Sequence, residues 1–179
     1  MKIGLVRHFK VNIEHKKYMN STEYNEYANR YNISEVFEKE VDLGNVTWNK
    51  CYCSNLSRAI FTAKSIYKGD IIVTESLREI QTLSRFNTRL PLHYYLWDVI
   101  GRVSWIRNHP SQPEIRSLTK VRVKNILDEI IANATEEDNI LIVSHAGIMY
   151  SIRKELERRG FKGDKFLKAE NGKLYLYEK

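Results

Sequence analysis

The fold of this chain is most constrained by its alternation of short apolar runs with segments of helical spacing. The runs are Lys2 to Val6, Lys50 to Cys53, Ile71 to Thr74, Asn139 to Val143 and Lys173 to Tyr177. Continuous apolar runs this short read as strands buried in a parallel sheet. Between them, Leu56 to Tyr67 places Leu56, Ile60, Ala63 and Tyr67 on one helical face. Ile115 to Ala134 is longer and carries Leu118, Val121, Ile126, Leu127, Ile130 and Ile131, and Gly147 to Arg159 carries Ile148, Ile152 and Leu156. Arg158, Arg159 and Gly160 close the last of these, two cations and a glycine where a helix end favours them. Strands alternating with helices predict an α/β fold, a three-layer α/β/α sandwich around a mostly parallel central sheet. Functional groups in such a fold gather beyond the carboxyl ends of the strands.

Two stretches depart from this rhythm. Residues 12–47 are polar and tyrosine-rich, with one helix expected over Ser21 to Tyr31, capped by Ser21 or Thr22 and with Glu23 in its first turn. Residues 85–109 carry Phe86, His93, Tyr94, Tyr95, Trp97 and Trp105. Both are expected to form lid segments over the site, within a single domain spanning residues 1–179.

Composition narrows the partners. No apolar run approaches the roughly 20 residues that cross a bilayer, so no membrane partner is expected. The stretch Met1 to Val6 is ended by Arg7 and His8, too short for a signal-peptide core, and the expected location is cytoplasmic. The 29 Lys and Arg against 22 Asp and Glu give a net charge of +7, which favours anionic partners. The basic residues are scattered and form no stripe or tail, so nucleic acid is not expected. Cys51 and Cys53 stand two apart in a strand, on one face, too close for an unstrained disulfide. They are expected to be packed, reduced thiols, and no further ligands lie nearby in sequence to make a metal site with them.

The chemistry lies where the runs end. Arg7 and His8 follow the first run, and Ser54, Leu56, Arg58 and Thr62 follow the second. Leu77, Arg78 and Glu79 follow the third, and Ser144, His145, Ala146 and Gly147 follow the fourth. Two histidines, two arginines and a glutamate therefore converge on one edge of the sheet. That set suits phosphoryl transfer. Arginine forks neutralise phosphate oxygens, helix N-termini add backbone donors, a neutral imidazole can attack phosphorus, and a carboxyl group can protonate the leaving oxygen.

These residues resemble the histidine phosphatase superfamily, the phosphoglycerate mutase-like proteins. The opening Leu-x-Arg-His of that family is matched by Leu5, Val6, Arg7 and His8. Its Ser-x-Leu-x-Arg-Ala-x-x-Thr-Ala is matched in full by Ser54 to Ala63. Its Leu-x-Glu is matched by Leu77, Arg78 and Glu79, and its Val-Ser-His-Gly-Gly in part by Val143 to Gly147. Order and spacing agree from Met1 to about Lys154. The resemblance implies a phosphoglycerate mutase-like fold, with His8 as nucleophile and Arg7 and Arg58 binding phosphate. It also implies that His145 donates a hydrogen bond to the transferring group and that Glu79 is proton donor and then base. Neither a metal nor an organic cofactor is implied, and the partner is a small phosphorylated substrate.

The departures concern the pocket. Phe9 stands for the family's Gly, Val11 for its Thr and Ala146 for a Gly, and Asn12 is the only nearby stand-in for a downstream Asn. The text after Glu79 lacks the usual Gly-x-Trp-Glu-Gly. Hydrolysis of a phosphomonoester is the expected reaction, because a short chain should admit water to the phosphohistidine. A mutase, a phosphoprotein phosphatase and a non-catalytic phosphate-binding module are the alternatives, and a monomer and a homodimer are both compatible with the sequence.

Overall fold

A computed structural model describes residues 1–179. In chain order the elements are β1 (Lys2–Arg7), β2 (Lys10–Val11), β3 (Tyr18–Met19), α1 (Ser21–Ile33), β4 (Val36–Phe37), β5 (Lys50–Ser54), α2 (Ser57–Ile66) and β6 (Ile71–Thr74). There follow a 3₁₀ turn (Glu75–Leu77), β7 (Leu92–His93), α3 (Tyr94–Ile106), α4 (Arg116–Ala132), β8 (Asn139–Ser144), α5 (Ala146–Arg158), β9 (Lys162–Gly163) and β10 (Leu174–Glu178). The central sheet has the strand order β6-β5-β8-β1-β10-β9. β6, β5, β8 and β1 run parallel.

Period-two alternation in these strands builds the two outer layers. Ile3, Leu5, Tyr52, Ile140, Ile142, Tyr175 and Tyr177 pack beneath Val123, Ile126, Leu127 and Ile130 of α4 and Ile148, Ile152 and Leu156 of α5. The residues between them, Val6, Cys51, Cys53, Leu141 and Val143, face Ala59 and Ala63 of α2. The cysteines do share a buried face, with both thiols free. Burial pushes the Cys51 thiol up to about 12 and Cys53 to about 11, so both stay protonated at neutral pH.

Several sequence expectations change. The final strand runs antiparallel to both its neighbours, β1 and β9, because the chain reverses at Gly172, whose φ of +57° is open to glycine. β6 is an edge strand, and Ile72 and Val73 are 44% and 48% exposed rather than buried. Leu56 caps α2 from outside instead of opening it. The cap of α1 is Asn20, not Ser21 or Thr22. Asn20 Oδ1 accepts the Glu23 N–H at 3.0 Å, and Glu23 Oε2 accepts the Asn20 N–H at 2.9 Å, a reciprocal capping box. Ser21 Oγ instead donates to Thr88 O and accepts the Thr88 N–H, which ties the two atypical segments together.

Those segments meet in a core of their own. Trp97 of α3 is fully buried against Met19 and Tyr24, and its indole N–H donates to Met19 O at 2.8 Å. The buried face of α3 is Trp97, Gly101 and Ser104. Gly101 is required there, since a Cβ would stand 2.8 Å from Thr82 Cβ. No helix is long and apolar enough to cross a membrane.

Candidate active site

The sequence places His8 one residue past β1, and the fold fixes its backbone from three directions. Its N–H donates to Ser144 O at 3.0 Å, continuing the β1–β8 ladder by one residue. Its carbonyl accepts Asn171 Nδ2 at 2.7 Å. The next N–H, that of Phe9, donates to Thr62 Oγ1 at 2.9 Å, while the Thr62 hydroxyl donates to Arg58 O.

The imidazole tautomer follows from its neighbours. His8 Nδ1 lies 2.6 Å from Phe9 O, which can only accept, so Nδ1 carries the proton. Nε2 therefore holds a lone pair, and it accepts Arg58 Nε–H at 3.3 Å. Burial, then Arg58, then Arg7, pushes the His8 pKa down to about 3, outweighing the Phe9 carbonyl. His8 is a neutral base at neutral pH.

Three further groups surround it. Arg58, 2% exposed, sits in the first turn of α2. Its Nη1 donates to Asn32 Oδ1 at 3.1 Å, and the guanidinium lies 5.0 Å over the Tyr31 ring. Arg7 donates Nη1–H to Ala169 O at 2.9 Å, and its Nε is buried without a partner. The ring centroid of His145, which is fully buried, is 5.0 Å from that of His8. Its Nε2 is 2.8 Å from Ser54 Oγ, and its Nδ1 is buried without a partner. Burial first, then Arg58, His8 and Arg7, holds the His145 pKa well below the usual histidine range.

Neither Arg7 nor Arg58 is paired with a carboxylate. Charge buried without a counterion is costly, and a cradle of two guanidinium groups with unpartnered N atoms is complementary to an oxyanion. Glu79 stands beside this cradle. Its Oε1 accepts the N–H of Ile80 at 2.8 Å and of Ile148 at 3.1 Å, and its Oε2 accepts the Gly147 N–H at 3.1 Å. The carboxylate thus caps α5 directly after His145, with a lone pair of Oε2 left open.

The sequence-predicted residues Arg7, His8, Arg58 and His145 are gathered in one place, with Glu79 at its border. The departures have physical resolutions. The Phe9 ring is fully buried, packs edge-on against Phe61 and fits against Gly172, where a Cβ would stand 3.2 Å from it. Its ring is therefore taken up in packing within the fold. Val11 is buried in the β2–β4 pair. Asn12 is exposed and pairs only through its backbone with Glu35, so it does not replace the family's Asn. The asparagines at the site are Asn32 and Asn171. Neither lies in a recognisable motif. Ser54 and Thr62 did lie in one, and their partners explain why a hydroxyl is needed at each position.

Gly147 carries a testable constraint. A Cβ there would stand 2.7 Å from both Glu79 Oε1 and Arg102 Nη1. Gly147→Ala is expected to displace the Glu79 carboxylate and to cost about tenfold to a hundredfold in kcat, the scale of a 1 Å misplacement. Because the clashing atoms are side-chain ends, the melting temperature should move by only a few degrees. Wild-type kcat with a normal melting temperature would remove Glu79 from the reaction.

Known proteins share this fold. The family model described as "Histidine phosphatase superfamily (branch 1)" matches residues 40–178, which include Arg58, Glu79 and His145 and begin after Arg7 and His8. No curated protein matches the chain. Among solved structures, phosphoglycerate mutase from Bacillus anthracis str. Sterne superposes with a TM-score of 0.66 at 18% identity, covering 99% of this chain and 88% of that one. The alpha-ribazole phosphatase from Shigella flexneri gives 0.58 at 17% identity, covering 98% and 89%. A mycobacterial glucosyl-3-phosphoglycerate phosphatase in complex with VO3 gives 0.56 at 18% identity, covering 88% and 82%. The first two likenesses, at 99% and 98% of this chain, cover more of it than the family model does. The chain belongs to the histidine phosphatase superfamily, branch 1.

Proposed function

We propose that this protein hydrolyses a phosphate monoester through a phosphohistidine formed on His8. The observation that carries the reading is a buried, neutral imidazole whose Nε2 lone pair is fixed by the Phe9 carbonyl, beside two guanidinium groups that are in no ion pair. Phosphate enters between Arg7, Arg58 and His145, and Arg58 Nε–H turns from His8 Nε2 to a phosphate oxygen. Nε2 then attacks phosphorus, the ester P–O bond breaks, and the leaving oxygen takes a proton from the Glu79 carboxyl group. In the second half, water attacks phosphorus and passes its proton to Glu79. The P–Nε2 bond breaks, and His8 returns to its starting tautomer.

The test is phosphate release from a generic aryl phosphate with chelator present, comparing wild type with His8→Ala from acid to neutral pH. Turnover by the wild type and none by the variant is the expected result. Equal turnover by both would show that His8 is not the nucleophile.

A further inference from the structure

A continuous run of aromatic rings starts at the phosphate cradle and has no part in the proposed chemistry. Arg58 lies over Tyr31, Tyr31 meets Tyr27 at 6.1 Å, and Tyr27 meets His15 at 5.5 Å. His15 meets Tyr94 at 4.2 Å, and Tyr94 stacks on His93 at 5.0 Å. The rings come from α1, from the segment before β3, and from β7 and α3, so three separate stretches of chain supply one surface.

Packing alone does not account for this run. The core of the region lies beneath it, in Met19, Tyr24 and Trp97, with Tyr27 and Tyr94 resting on that core. His15 is exposed, and Tyr27, Tyr31, His93 and Tyr94 are only partly buried. Four of the eleven tyrosine hydroxyls are tied down within the fold. Those of Tyr24, Tyr67 and Tyr177 donate to Asp98, Asn49 O and Asp164 O, and that of Tyr175 accepts from Glu170 N. Tyr27, Tyr31 and Tyr94 have no such partner within the fold. The Tyr31 face carries Arg58 and the Tyr94 face carries His93, and all three tyrosines remain partly exposed.

We infer that this run is the leaving-group subsite, and that the alcohol released carries a heteroaromatic ring, as in a nucleoside monophosphate. The inference rests on the phosphatase reading of the site. Stacked rings with free phenols suit a planar ligand with polar edges. A bare sugar phosphate offers no π face to such a surface.

The test compares adenosine 5′-monophosphate and uridine 5′-monophosphate with ribose 5-phosphate, which has the same phosphate and sugar but no base. Binding is measured by calorimetry on His8→Ala, which cannot turn the ligands over, and kcat/KM is measured on wild type. The nucleotides should bind at least tenfold tighter than ribose 5-phosphate. Adding Tyr27→Leu or Tyr94→Leu should bring that ratio to within about threefold, while Tyr27→Phe should keep it. A ratio near one before any ring is removed, or one that survives both leucine substitutions, overturns the inference. If all three ligands are hydrolysed with equal kcat/KM and bind equally, the subsite fails and the phosphatase reading stands. If the ratio holds but wild type hydrolyses none of them, the ring-binding surface stands and the phosphatase reading fails.

Discussion

Arg58→Ala is expected to lower kcat/KM for a phosphomonoester by about 10²–10³, the usual cost of removing one preorganised donor from a developing oxyanion. Arg58 is nearly fully buried, is aimed by Asn32 and Tyr31, and touches His8 Nε2 at 3.3 Å. A group held this way needs no reorganisation when charge develops on the phosphate. Arg58→Lys keeps the charge but loses the planar fork, so it should recover only part of the loss. A second readout separates this role from a merely structural one. Arg58 is the second-largest cause, after burial, of the lowered His8 pKa. The His8 resonance of Arg58→Ala should therefore titrate at a higher pH than in wild type. Unchanged kcat/KM, or an unmoved titration, would remove Arg58 from the site.

The second large effect is a loss of stability in mild acid. His8 is held at about 3 in the folded protein, and His145 is held well below the usual range. In the unfolded chain both return to about 6.5. Between these limits the unfolded state binds more protons than the folded one, so stability rises with pH across the window and is lost as pH falls below about 6.5. His8 contributes a slope of up to about 1.4 kcal/mol per pH unit, and His145 adds to it with the same sign. Going from pH 6.5 to 4.5 should then remove about 2 kcal/mol through His8, with a further loss of the same sign from His145. Lowered carboxylates such as Glu155, held at about 2, add their losses only below their unfolded value of about 4.5, so the two contributions separate on the pH axis. Urea unfolding from pH 7.5 to 4.5 measures the slope, and His8→Ala should lower it by about 1.4 kcal/mol per pH unit or less. A flat profile above pH 5 would mean that the histidines are not buried as described.

The apolar runs, the three core helices and the four motifs were legible because strand ends deliver the reacting groups directly. Arg7, His8, Ser54, Ser144 and His145 all lie at or one residue past a strand terminus. What was not legible came from elsewhere. The pattern of α3 is inverted: Trp97, Gly101 and Ser104 face inward, while Leu96, Val99 and Ile106 are about half exposed. Hydropathy therefore points to the wrong face, and a helix buried through tryptophan, a glycine and a serine gives no apolar stripe. Asn171 and Gly172 bind the backbone of Arg7 and His8 from the far end of the chain, past the last motif. Only the reversal into β10 brings them there. Gly172 also makes room for Phe9, so the departure in the first motif is offset by a residue more than 160 positions away.

The most direct test of the central claim is to trap the intermediate. Wild-type protein mixed with a substrate labelled in its phosphate is quenched within the first turnover, and the label is located by peptide mass analysis. An acid-labile, alkali-stable phosphate on His8, absent from His8→Ala, is the predicted result. Label on any other residue, or undiminished hydrolysis with none bound to His8 at any time, would contradict it.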